Sequence, residues 1–596
     1  GLSNNSKEIL KRLKKTEFVK DIYIAGSSKE DGKENELIQV QKPREILLKK
    51  WPEIDLIIFI GSIAASIRII NSFLTSKDQD PGVIVIDNKC SKIVPLIGLH
   101  QSNTQNIACQ IANLLGGEII ETNNSNDQSF LNLDAFGNQW GWKRSGNIKD
   151  WSKLVIKQAK NEEIFCKQLS GNSLWKTSES AEIINQIDKK ETEKPDSTFH
   201  VSIFENHETT WHPPVLWIGI GCERNTSKEL IANSLNNLLE SRNLSKYSIA
   251  GLATVDIKKD EKGILELAEE KNLPIKFFSK EDLSTIIVPN PSNVVQKEIG
   301  TPSVAEASCL LAAGEESKLL EEKRIFKNQS GAVTIAVAES KNQYNPTHGE
   351  IHIIGSGPGD ISFLTSNAKK ALSRCTVWIG YKMYLDLIKS LKRSDQVLIE
   401  SKLTEEKERC SKAIKLAEEG IKVALISSGE SGFYGMAGLL LELLQKIKKE
   451  YRPYFEVHPG ISSVQLAAAI SGAPLMNDFC SVSLSDKLTP WSLIEKRIEG
   501  ALVGDFVIAL FNPQSIERNW QLKSVIDICL QSRHGDTPVL IARQVGRENQ
   551  TKKFFTLNTI PFKEIDMLSI IIIGNSQTTL VDEIFLTPRG YLQNQV

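Results

Sequence analysis

Between residues 350 and 596 the chain carries three glycine-rich junctions, each preceded by an apolar run. HIIG leads into GSGPGD, Gly355–Asp360. A second run leads into SSGESGFYGMA, Ser427–Ala437, and a third into HPGISSVQLAAA, His458–Ala469. Glycines at the carboxyl end of a strand let a ligand approach the backbone closely. A dinucleotide fingerprint, GxGxxG, would put glycine at position 360, where Asp360 stands. Pro358 also removes an N–H that a phosphate cradle would use. The first loop therefore suits a ligand without a pyrophosphate, although a tight structural turn is the other reading of any one such loop. SLSDKLTPW, Ser483–Trp491, and ALFNPQSIER, Ala509–Arg518, follow. Asp360, Tyr381, Asp486 and Arg518 are the polar side chains here that could manage protons. Each equally suits a cap, a turn or a structural pair.

The first 340 residues offer two further reactive groups. Cys222 lies in GIGCERNTS, Gly219–Ser227, where a strand turns into a helix, a place that can lower a thiol pKa. A small buried cysteine is the alternative. His100 is a general-base candidate, or a loop histidine hydrogen-bonded to backbone. No HExxH and no Cys/His cluster with zinc spacing is present, so no protein-bound metal is expected.

The elements that must carry these residues divide the chain. Residues 1–125 hold strand-like runs at Asp55–Ile60, Gly82–Ile86 and Ile93–Leu99, with helical patterns at Ile63–Leu74 and Thr104–Leu115. This alternation predicts a parallel α/β sheet. Residues 126–212, rich in Asn, Ser, Lys and Glu, read as a polar connection or a small, weakly packed domain. A third unit, 213–340, has strands at Val215–Gly221, Ser248–Thr254 and Thr334–Ala338 and helices at Ser227–Glu240 and Ile264–Lys271. Glu339–Gly349 reads as a linker. Residues 350–596 have strand patterns at Ile351–Ile354, Val423–Ser427, Phe455–His458, Phe506–Leu510, Val539–Arg543 and Ser569–Ile573. Helical patterns lie at Ser366–Ser373, Thr404–Glu419, Gly438–Lys448 and Ser463–Ser471.

Composition narrows the partners. In 596 residues, 72 Lys and Arg face 73 Asp and Glu, for a net charge of −1, which favours neither nucleic acid nor an anionic membrane. No apolar run reaches the ~20 residues of a spanning helix. The first residues are basic without an apolar h-region, and a cytoplasmic location is expected. The nine cysteines are dispersed with no CxxC, which reads as reduced thiols.

In the order GSGPGD, IGY (Ile379–Tyr381), YGMA (Tyr434–Ala437), PGI, SLSD–LTPW and FNPxSxxR, residues 350–580 resemble the tetrapyrrole methyltransferase family. Within it they are most similar to the precorrin-3B C17-methyltransferases, whose cobalt form acts on cobalt-factor III. The resemblance implies two α/β subdomains with S-adenosylmethionine (SAM) folded in the cleft between them, usually in a homodimer. It places Gly355, Gly357 and Pro358 in the first cofactor loop and Gly429, Glu430, Ser431 and Phe433 in the second. Ser462 and Ser463 follow the PGI turn, and Phe511 and Arg543 come from the second subdomain. The family commonly has Gly-Asp-Pro or Gly-Asp-Ala where Gly429-Glu430-Ser431 stands, so the hydrogen bonding of that loop is open. Gly357→Val is expected to abolish SAM binding by filling the space the cofactor needs. The implied reaction is methylation at C-17 with ring contraction to a lactone.

The first 340 residues resemble the cobalt-precorrin-5A hydrolases, which open that lactone. The family's Ser-Gly-His-x-Gly-Gly-Ala-Asn pattern stands here as Gly98-Leu99-His100-Gln101-Ser102-Asn103-Thr104-Gln105-Asn106, keeping the His and, one position later, the final Asn, but none of the glycines. GIGCERNTS is close to the family's GIGCRRGT, and Val304-Ala305-Glu306-Ala307 also matches. The expected fold class is thus α/β and multidomain: two α/β units of the lactone-hydrolase type, then a two-subdomain tetrapyrrole methyltransferase. The expected substrate is a tetrapyrrole bearing cobalt, the metal belonging to the substrate. A non-catalytic tetrapyrrole-holding role for the first half, or methylation at another ring carbon, stays open.

Overall fold

The computed structural model describes residues 1, 6–14, 16, 19–25, 38–40, 42–75, 80–98, 104–120, 131–191, 195–205, 208–329, 331–515 and 518–591. The chain forms two compact units, Gly1–Gln128 and Ser129–Val596.

The first unit holds a four-stranded sheet in the order Leu56–Ile60, Gly82–Ile86, Lys92–Ile97, Glu118–Ile119. The expectation of an all-parallel sheet is corrected. Gly82–Ile86 and Lys92–Ile97 pair antiparallel, because the connection between them is far too short for a crossover helix. Helix Ile63–Ile70 connects the first two of these strands and Thr104–Leu115 the last two, and Ser62 caps the former through Ala65 N–H. His100 lies outside the described residues.

The second unit begins with a stretch that composition misjudged. Residues 131–212 are neither a connection nor weakly packed. They form a five-stranded sheet, ordered Lys143–Ser145, Thr210–His212, Thr198–Val201, Ile164–Gln168, Ile184–Gln186. Its core is aromatic: Phe136, Trp140, Trp142, Trp151, Trp175, Phe199 and Trp211 are all at most 2% exposed. A few tryptophans bury as much area as a long aliphatic run while leaving the sequence polar on average. This core is continuous with Ile351, Ile353, Val377 and Val423 of the following half.

Next comes a sheet ordered Ile275–Phe278, Ile249–Val255, Leu216–Cys222, Gly331–Glu339, Lys318–Asn328, parallel in its first three strands and antiparallel in its last two. The expected linker at 339–349 is held firmly. Gln343, 2% exposed, accepts from Trp142 Nε1 at 2.8 Å and donates to the Trp140 and Glu419 carbonyls, both at 2.7 Å.

Residues 350–591 form two five-stranded sheets and a small three-stranded one, ordered Gly472–Ala473, Ile584–Leu586, Thr579–Val581. The first is wholly parallel, ordered Val397–Ser401, Val377–Tyr381, Lys422–Ser427, Glu350–Gly355, Tyr454–His458. Its three inner strands are largely apolar and buried on both faces, while the edge strand Tyr454–His458 is mostly exposed. The second is mixed, ordered Phe479–Ser483, Val507–Phe511, Ser569–Ile573, Pro538–Arg543, Thr551–Thr556. Among the described residues, no helix is long and apolar enough to cross a membrane.

Candidate functional site

Three loops leave the carboxyl ends of neighbouring parallel strands, the usual place for a ligand in an open α/β sheet. Gly355 ends the first strand, Ser427 the second and His458 the third. The first two loops bind each other through backbone alone: Gly357 N–H donates to the Gly429 carbonyl at 3.1 Å, and Gly429 N–H to the Gly357 carbonyl at 2.9 Å. Gly357 and Gly429 both have positive φ, 73° and 63°. The third loop closes on both. A Cβ on Gly355 would lie 2.6 Å from Gly460 N, and a Cβ on Gly460 would lie 2.6 Å from Gly355 O and closer still to Gly429 O. Only glycine permits three backbones to meet so closely.

The second subdomain covers this platform. Asp360 N–H donates to the Gly546 carbonyl at 2.6 Å, and Arg547 Nε to the Pro358 carbonyl at 3.3 Å. The cleft between is lined by Pro358, Gly429, Phe433, Ser462, Phe511 and Arg547, among others, and holds about 770 Å³ of space, part of it open to solvent. Phe433, Tyr434 and Phe511 form an aromatic cluster with ring centroids 5.1–5.2 Å apart. Ser462 caps helix Ser463–Ser471 in a capping box with Gln465, which turns that helix's N-terminus toward the cleft.

Of the cofactor residues expected from sequence, Pro358, Gly429, Glu430, Phe433, Ser462, Ser463 and Phe511 line the cleft. Gly355 and Gly357 shape it from behind. At Gly357 an added Cβ would meet the Phe363 carbonyl at 3.2 Å. The expectation that valine there fills cofactor space is therefore corrected: it would distort the loop. Glu430 folds back and accepts from Gly432 N–H at 2.6 Å, so its extra methylene serves the loop's own turn. Ser431 is fully buried, its hydroxyl unpartnered among the described residues, and is not in the lining. Arg543 is likewise not in the lining, being paired with Asp566 at 2.7 Å. Gln544, Val545, Arg547 and Leu568–Ile570 line the cleft without having been expected. Their contribution is largely backbone geometry: Gln544 and Gly546 have φ of 50° and 77°.

None of the four candidate proton carriers lies in the cleft lining. Asp360 caps a short 3-10 turn, accepting from Ser362 N–H at 2.7 Å; its hydrogen bonds with Ser362 lower its pKa. Tyr381 packs edge-on against Tyr384. Asp486 accepts from Gln521 Nε2 at 3.0 Å. Arg518 is buried and donates to the Leu484 and Asn512 carbonyls at 3.0 and 3.1 Å. Asn512 lines the cleft, so Arg518 acts as a positioning residue for its wall.

Cys222 sits at the strand-to-helix turn as expected, but its thiol is not activated. Burial, reinforced by Glu261 and offset only in part by Lys258, pushes it up to about 11. Next to it lies a buried ion pair, Lys258 to Glu261 at 3.0 Å, whose carboxylate also accepts from Asn225 N–H at 2.8 Å. Glu306, also fully buried, accepts from Asn290 Nδ2 at 3.0 Å and Lys323 N–H at 3.1 Å and so ties two loops to its helix.

Comparison with known proteins agrees with this architecture. The family profile described as Tetrapyrrole (Corrin/Porphyrin) Methylases matches residues 350–561. Profiles described as Cobalamin synthesis G N-terminal and Cobalamin synthesis G C-terminus match 45–126 and 216–338. A probable cobalt-factor III C(17)-methyltransferase of Salmonella typhimurium is 44% identical over 241 residues, which are 40% of this chain and 99% of that protein. The cobalt-factor III methyltransferase of Priestia megaterium is 44% identical over 245 residues, 41% of this chain but 45% of that protein, so the chain spans less than half of that relative's length. Among solved structures, the methyltransferase CobJ is 32% identical, covering 40% of this chain and all of its own, with a TM-score of 0.39. The chain belongs to the tetrapyrrole methylase family, joined here to cobalamin synthesis G N- and C-terminal domains.

Proposed function

We propose that residues 350–591 transfer a methyl group from SAM to C-17 of a cobalt-bearing precorrin, with ring contraction, and that the first half opens the resulting lactone at a later step. The observation that carries the first part is the three-backbone platform at Gly355, Gly357, Gly429 and Gly460, facing an aromatic wall. Its chemistry fits SAM: close backbone approach at Gly429 and Ser462, apolar and aromatic surface from Pro358, Phe433 and Phe511, and no pyrophosphate cradle. When bound, SAM supplies an electrophilic methyl with a neutral sulfur leaving group. The protein's task is then to position and to exclude water. Pro358, Phe433 and Phe511 would hold the cofactor, and the Arg547–Pro358 contact keeps the two subdomains closed over it. Alignment of this kind can lower a barrier by up to ~7–11 kcal/mol without an acid or base at the transfer step.

The test is to give the full chain SAM carrying an isotope-labelled methyl group and cobalt-factor III, and to locate the methyl by mass spectrometry and NMR. A methyl at any carbon but C-17 refutes the assignment. For the first half, a non-catalytic tetrapyrrole-holding role is favoured by the lack of an activated thiol at Cys222, which burial raises to about 11. Supplying the lactone-bearing cobalt-precorrin to the full chain and measuring acetaldehyde separates the two. Release supports lactone opening, and tight pigment binding without release supports the holding role.

A further inference from the structure

Beneath the cleft, on the side of the first sheet covered by helix Ser366–Arg374, two adjacent strands bring together residues that lie 106 positions apart. His352 on the inner strand and His458 on the edge strand place Nδ1 and Nε2 2.9 Å from each other. Glu456 Oε2 lies 3.9 Å from the first nitrogen and 3.8 Å from the second. Glu350 accepts from Nε2–H of His352 at 2.8 Å. Because a carboxylate only accepts, that bond fixes the tautomer and leaves Nδ1 of His352 with its lone pair directed at the group.

We propose that His352, His458 and Glu456 bind one divalent transition-metal ion, zinc by chemical preference. Nitrogen and oxygen ligands stand about 2.0–2.2 Å from zinc, so neighbouring corners of a tetrahedral site are ~3.4 Å apart. The three donor separations bracket that value, and side-chain shifts of about half an ångström would meet it. Two imidazoles and one carboxylate are a common zinc donor set, with the fourth corner open. Glu456 is about half exposed and gives a route in from solvent, while His352 and His458 are buried and already oriented. The Glu350–His352 bond supplies the outer carboxylate that metal-bound histidines regularly have.

The surrounding charges are consistent with a single ion. Lys422 and Arg374 pair with Glu350, at 2.5 and 3.3 Å, and leave Glu456 as the anion that faces the donors. The ion would tie the edge strand Tyr454–His458 to its neighbour. His458 leads directly into Pro459 and Gly460, so the same bond would steady the third cofactor loop.

The experiment uses the full chain without a histidine tag, freed of metal by chelation. Equilibrium dialysis against Zn²⁺ is expected to load one ion per chain, and Co²⁺ to give the visible absorption of a tetrahedral site without thiolate charge-transfer bands. Glu456→Gln changes only an exposed side chain and is expected to weaken binding at least tenfold. Glu350→Gln, which removes no ligand, is expected to weaken it about 10–100-fold. Absence of loading in the unaltered chain, loading undiminished in Glu456→Gln, or a cobalt spectrum showing thiolate ligation would each overturn the proposal.

Discussion

Gly460→Ala is the sharpest test of the three-backbone platform. The added methyl would sit 2.6 Å from the Gly355 carbonyl oxygen and closer to that of Gly429, where ordinary contact begins at 3.4 Å. Both obstacles are backbone, so no side chain can swing aside. Relief requires the Gly355 or Gly460 loop to retreat by about 0.8 Å at least, with a larger shift at Gly429. Overpacking of this kind costs about 1–3 kcal/mol, against the 5–15 kcal/mol of a typical domain, so the protein stays folded. The cleft does not stay the same, because a misplacement of ~1 Å can cost about 100-fold at a positioning site. Calorimetry with S-adenosylhomocysteine is expected to show at least tenfold weaker binding, with a lowered but cooperative melt. The control is Gly438→Ala, where a Cβ would meet nothing within 4 Å; it leaves affinity unchanged. Near-normal affinity in Gly460→Ala would refute the idea that this three-way contact shapes the cofactor site.

Three further outcomes follow from the same geometry. Asp360→Ala removes a capping side chain that is not in the cleft lining and leaves the backbone bond to Gly546 in place; turnover per folded molecule should stay within about twofold of wild type, and loss of ring contraction with methylation intact would show a proton-transfer role instead. Cys222→Ser should leave lactone opening in place, and Cys222 should resist alkylation at neutral pH, since burial holds its thiol at about 11; rapid alkylation or lost activity in a folded variant contradicts this. For Glu350, burial would raise the pKa, but hydrogen bonds from His352 and Lys422 and the charges of Lys422 and Arg374 bring it from 4.5 down to about 2. Its stabilisation is present above pH 4.5 and is lost as pH falls toward 2, by up to about 3 kcal/mol. Metal-free urea melts of wild type and Glu350→Gln should therefore converge on acidification, and parallel curves would refute the linkage.

What the sequence revealed depended on how local its signal was. Strands such as Ile351–Ile354 and Ser569–Ile573 are visible because burial on both faces leaves unbroken apolar runs. Helix Ser463–Ser471 begins and ends where the pattern places it, because Ser462 supplies a cap. Strand Lys318–Asn328 was missed, since an edge strand full of charge has no apolar run, and its pairing with Gly331–Glu339 is a tertiary fact. The glycine loops were legible as motifs. The Gln544–Arg547 wall was not, because it works by positive φ and by carbonyls that any residue can carry. Arg543 and Asp360 show the converse: residue type and motif position suggested a ligand or proton role, while local partners claim both side chains.

The middle of the chain is more than a tether leading to the methylase-family half. Residues 131–212 share a core with the first sheet of the methyltransferase half, and Gln139 both donates to Asp395 at 3.1 Å and accepts from Thr376 at 3.0 Å. Linker residue Tyr344 packs on Lys276, whose ammonium lies 4.4 Å from that ring and 4.2 Å from Trp217. Tyr451, within the methyltransferase half, donates to the Ile275 carbonyl at 3.2 Å. In this chain the parallel sheet that carries the three glycine loops is stabilised partly from residues 131–212, through the shared core and the hydrogen bonds of Gln343 to the Trp140 and Glu419 carbonyls.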